Sequence, residues 1–146
     1  MSRPISCLFA GIGLLILLVG CKFADKKQNE GVKLRAFYVP VDLNTYLPTT
    51  CENIEQVGSK INIQAGHSAS KIIELLKSGE TSNVPKIEFK NQFVRIKIIE
   101  IRVDGSERVL ACVEKSGAIR MLDKQDGTLT QSELIDLKEQ ILKFSN

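Results

Sequence analysis

The chain has 146 residues, 43% of them apolar and 25% charged, with a formal net charge of +3. That length suits one domain with a modest core and is short for two. Twenty basic against 17 acidic side chains is too even a balance to support a nucleic-acid partner.

In chain order, Arg3 supplies a positive start and an apolar run follows over residues 5–19. The run is shorter than the roughly 20 residues that span a bilayer. It ends in Leu18-Val19-Gly20-Cys21, with small residues before a cysteine, as a cleavage site requires. This tetrapeptide resembles the lipobox of bacterial lipoprotein signal peptides. The resemblance implies that residues 1–20 are removed and that Cys21 carries a diacylglycerol thioether and an acylated amino terminus. About two or three acyl chains satisfy the need for more than one membrane signal, at about 0.8 kcal/mol per buried methylene. The competing reading is an uncleaved anchor with Cys21 incidental. Cys7 lies within the apolar run and leaves with the peptide.

Arg3 is the only charge in residues 1–20, so +3 less this one charge leaves +2 on the remainder. An aspartate directly after the lipidated cysteine retains enteric lipoproteins in the inner membrane. Here that residue is Lys22, and the resemblance implies the periplasmic face of the outer membrane. Residues 22–31 are polar and charged. They predict a flexible tether over 21–32 ahead of a folded domain over 33–146. Residues 33–146 carry no family motif that we recognise.

Residues 34–39 predict a strand, with Pro40 ending it. Residues 41–50 lack a clear period and predict extended chain. Residues 60–65 alternate Ile61 and Ile63 with polar neighbours, a strand pattern broken by Gly66. A helix follows, capped by Ser68 or Ser70, with its stripe at Ile72, Ile73, Leu75 and Leu76 and Gly79 at its C′ position. Ile87 and Phe89 predict a short strand, and Asn91-Gln92 a turn. Val94, Ile96 and Ile98 share one phase, while Ile99, Ile101 and Val103 take the other. A β-bulge near Ile98-Ile99 explains that slip. Asp104-Gly105 predicts a hairpin turn, followed by strands over 108–115 and 118–123, with Asp126-Gly127 closing the sheet region. Thr130 and Glu133 form a T-x-x-E capping box for a last helix carrying Leu134, Leu137, Ile141 and Phe144. The expected fold is α+β: an antiparallel sheet of four to five strands with two helices on one face.

Cys51 and Cys112 are the pair left over, and an even pair in an oxidising compartment predicts one disulfide between elements. Two reduced, buried cysteines are the alternative. A zinc site wants closer Cys and His spacings, and His67 is the sole histidine.

Other motifs are weaker. Residues 126–133 match the second half of a calcium loop, but its first ligand positions fall on Leu122 and Lys124. Ser68-Ala69-Ser70-Lys71 and Lys115-Ser116-Gly117 resemble elements of penicillin-binding proteins, yet no S-D-N-like element lies between them. No catalytic residue, metal or cofactor is assigned. The candidate partner surface comprises Phe37, Tyr38 and Tyr46, near an expected sheet edge open to strand addition, with Arg95 and Lys97.

The expected protein is therefore a lipid-anchored, non-enzymatic subunit facing the periplasm, held to the membrane through Cys21. It binds another envelope protein, as pilot-type assembly subunits do. The alternative is an inhibitor or immunity lipoprotein against a periplasmic toxin or lysozyme, and a small envelope enzyme is a third class.

Overall fold

The computed structural model describes residues 31–43, 48–81, 83–121 and 126–145. The elements are β1 (Lys33–Tyr38), α1 (Ile54–Val57), β2 (Ser59–Ile63), α2 (His67–Thr81), β3 (Val94–Ile101), β4 (Glu107–Glu114), β5 (Ala118–Met121), β6 (Gly127–Thr128) and α3 (Gln131–Leu142). The strands form one antiparallel sheet in the order β2-β1-β3-β4-β5-β6. The α+β expectation holds. The sheet has six strands rather than four or five, and the one-turn α1 adds a third helix.

Helices α2 and α3 cover one face. Ala69, Ile72 and Leu76 from α2 and Leu134, Leu137 and Ile141 from α3 meet Leu34, Ala36, Ile61, Ile63, Ile96 and Ile98 of the sheet, all buried. Each fully buried Leu or Ile contributes about 1.5–3 kcal/mol, which is what holds two short helices on the sheet. The helices run antiparallel, since Ser78 bonds Glu133 at one end while Lys71 bonds Asp136 further along. The predicted capping box starts α3: Thr130 Oγ1 accepts the Glu133 N–H, and Glu133 accepts the Thr130 N–H.

The opposite face is covered as well. Phe37, Val39, Ile54, Phe89, Val94, Ile99, Cys112 and Ala118 form a second buried cluster there. This overturns part of the phase-slip reading. Ile98 and Ile99 point to opposite faces, and both are apolar because both faces are buried. A register shift does fall at Ile98/Ile99, but β3 pairs with β1 there without interruption. The extra residue is Leu110 of β4, between Val109 (opposite Ile99) and Ala111 (opposite Ile98). A second shift leaves Arg95 as the additional residue of β3.

Three local expectations are corrected. Gly79 does not end α2; it is buried inside the helix, where an added Cβ would lie 2.6 Å from Ile119 Cδ1. Ser68 and Ser70 lie within α2, which starts at His67, instead of capping it. Residues 86–90 are irregular rather than a strand: Phe89 is buried, but Ile87 is exposed and its N–H donates to Thr128 Oγ1 at 2.9 Å.

Candidate functional site

The sheet face away from α2 and α3 carries buried Lys97 and Glu114 beside Cys112. Cys51, in the turn before α1, is bonded to Cys112 of β4, with a Cα–Cα distance of 5.8 Å. Asn91 sits beside this bridge with φ 54°, a left-handed conformation that asparagine tolerates better than most residues. Its Oδ1 accepts the Cys51 N–H at 2.8 Å, and its Nδ2 donates to Glu52 Oε2 at 3.0 Å. That bond from Asn91, and then one from Thr50, hold the Glu52 carboxyl below the usual range. Buried Glu114 accepts the N–H groups of Lys90 at 3.0 Å and Gln92 at 3.4 Å, fixing the same turn from below.

Lys97 stands next to the bridge. It pairs across the sheet with Phe37 on β1 and Cys112 on β4, and its ammonium donates to Glu55 Oε1 of α1 at 2.5 Å. A lysine this enclosed needs such a partner, because a buried charge is costly unless paired. The carboxylates and amides on this face are thus committed to holding α1 and the 90–92 turn against the sheet. Chemically, the arrangement is a brace.

The sequence-predicted partner residues do not form one surface. Phe37, Arg95 and Lys97 are only 6–7% exposed. Tyr38 is half-buried on the other face, against the α2–α3 core. Their strands, β1 for Phe37 and Tyr38 and β3 for Arg95 and Lys97, are both interior to the sheet. Arg95 Nη1 reaches the Leu43 carbonyl at 3.5 Å, and Arg102 lies beyond the end of β3. Tyr46, the cleavage motif Leu18-Val19-Gly20 and the lipidation residue Cys21 lie outside the described residues, as does the tether up to residue 30.

The weaker motifs are dispersed. Ser68 opens α2, whereas Lys115 and Ser116 occupy the β4–β5 turn, near its far end where Gly79 meets Gly127. A helix of that length spans about 20 Å, so the two elements do not converge. Lys71 Nζ is paired with Asp136 at 3.1 Å. Leu122 and Lys124 lie outside the described residues, while Asp126 is engaged by Arg120 and Glu133 by the capping box and Ser78. Among the described residues no three His, Cys, Asp or Glu side chains converge as a metal requires. His67 is exposed at the start of α2.

Two features escaped the sequence reading. A shallow groove of about 290 Å³ lies between α2 and α3, lined by Lys71, Glu74, Leu75, Ser78 and Glu133. Its walls are tied across by the Ser78–Glu133 and Lys71–Asp136 bonds. The other feature is β2, which among the described residues ends the sheet with β1 as its one neighbour. Ile61 and Ile63 are buried while Lys60 and Asn62 are exposed. That alternation was visible in the sequence, but edge position was not, since any strand with one wet face shows it.

No family model, curated protein or solved structure matches this chain.

Proposed function

We propose that this chain is a lipid-anchored envelope lipoprotein that binds another envelope protein in a pilot-type, non-enzymatic role, docking it along the open edge of β2. The observation that carries the binding half is that edge. Its outward N–H and C=O groups are the usual template for strand addition. Lys60 on this strand works against indiscriminate pairing, because charged side chains on edges are a common guard against aggregation. The address rests on the lipobox resemblance at Leu18-Val19-Gly20-Cys21, and the Cys51–Cys112 disulfide is in keeping with an oxidising compartment. Lys22 in second position supports the outer membrane, periplasmic face, as the destination.

The test uses the full chain in its own envelope. Palmitate labelling should mark the wild type and be lost in Cys21→Ser. A photocrosslinking residue at Asn62 should capture one envelope protein, and the same residue at exposed Glu139 of α3 should not. Absence of labelling sinks the anchor. Equal capture at the two positions, or none at Asn62, sinks docking at the β2 edge.

A further inference from the structure

The end of the domain that receives the tether also carries an apolar residue with no protein around it. Lys33, the first residue of β1, pairs with Ile101, the last of β3. The β3–β4 hairpin turns immediately beyond, over residues 102–106. At its tip Val103 is 97% exposed. The turn is tightly tied: Gly105 N–H donates to the Arg102 carbonyl at 2.9 Å, and Asp104 Oδ1 accepts the Ser106 N–H at 2.9 Å. Gly105 takes φ +81°, which suits a glycine in such a turn. Val103 is therefore presented outward on a fixed support.

Single exposed apolar residues are ordinary on protein surfaces. Here, position sets Val103 apart. β2 ends at Ile63 opposite Leu34, so α2 also starts at this end, and the antiparallel α3 finishes there with Leu142, 39% exposed, and Lys143. Lys33, Arg102 and Lys143 add exposed basic side chains. The linker between Cys21 and Lys33 (residues 22–32) reaches at most about 40 Å when fully extended. A flexible chain of that length averages about 17–20 Å. A lipid on Cys21 would therefore hold this end of the domain within about 40 Å of the bilayer surface.

We infer that the β3–β4 hairpin tip is a second membrane contact, with Val103 entering the headgroup region and Lys33, Arg102 and Lys143 facing anionic lipid. This rests on the lipid-anchor reading above. The docked domain would stand on its β3–β4 end, with the β4–β5 turn at Lys115 pointing away from the lipid.

The experiment uses full-length lipidated protein in vesicles of phosphatidylethanolamine and phosphatidylglycerol, with the native disulfide kept oxidised. A polarity-sensitive fluorophore is placed on Val103→Cys or, at the opposite end, on Lys115→Cys. Headgroup-attached nitroxide lipids serve as quencher, and flotation of the vesicles reads anchoring separately. The expected result is a blue shift and several-fold stronger quenching at position 103 than at 115. If the protein floats but the two positions quench equally, the anchor stands and the hairpin contact is overturned. If the protein does not float, the anchor reading fails and takes this inference with it.

Discussion

Gly79 of α2 and Gly127 of β6 meet backbone against backbone: a Cβ on Gly127 would overlap the Gly79 carbonyl. The contact lets α2 lie directly on the shortest strand of the sheet. Gly79 itself is packed against Ile119, where an added Cβ would lie 2.6 Å from Cδ1, so the helix carries a buried glycine where alanine would be about 1 kcal/mol better on propensity alone.

Gly127→Ala should therefore destabilise the domain by about 1–3 kcal/mol, since the extra methyl meets backbone that cannot rotate away. Gly31→Ala, where nothing lies within 4 Å of the new carbon, should be near neutral. Denaturant unfolding of both variants checks this, and equal midpoints would refute it.

Opening the disulfide removes a restraint on a loop with sequence separation 61. The chain-entropy model gives about 4 kcal/mol for a loop of that size. Reduction should free two thiols in the domain and lower Tm. Cys51→Ser with Cys112→Ser should show the same loss and no further response to reductant.

The Lys97–Glu55 pair joins a side chain that is 9% exposed to one that is 44% exposed. Glu55→Ala leaves the ammonium enclosed without its partner, at a cost of about 1–3 kcal/mol. Adding Lys97→Met to that variant should recover part of the loss, because an apolar side chain suits the space between Phe37 and Cys112. Thermal unfolding of the two variants tests this, and a double variant weaker than Glu55→Ala would contradict it.

Glu133 binds Ser78, and then Thr130 through its N–H and hydroxyl, and these bonds hold its carboxyl below its ordinary value of 4.5. The folded value is the lower one, so the contribution is complete above the unfolded value. It is lost as pH falls through the folded value. Glu52 and Asp136, held low chiefly by Asn91 and Lys71 respectively, act in the same direction. Stability should fall on the acid side, and Glu133→Gln should flatten that fall while leaving the capping geometry in place. A Tm series from neutral pH down to about pH 3 reads the slope directly.

Much of the fold was legible because local rules agreed with tertiary ones. Thr130 and Glu133 announce α3, Asp104-Gly105 announces its hairpin, and Ile61 with Ile63 marks β2. The losses occurred where burial overrode period. Ile98 and Ile99 are adjacent and both apolar, and periodicity alone cannot separate a slipped strand from one covered on both faces. Phe89 looked like a strand residue because it is buried, yet it is held by irregular chain. Phe37, Arg95 and Lys97 suggested a surface because residue type does not reveal that α1 and its neighbouring loops lie over them. The β2 edge went unseen for a related reason: strand order is a long-range property, and a sequence shows only which strands exist.

The covering of that second face has a consequence for how the protein is made. One side of the sheet is sealed by two helices that fold from their own stripes. The other is sealed by a single helical turn and irregular chain, fastened by one oxidation. Before that oxidation, Phe37, Val94 and Ile99 are a sticky sheet surface with a loose cover. A chain whose Cys51 and Cys112 are still reduced is thus a ready substrate for chaperones and proteases, and formation of the disulfide completes its cover.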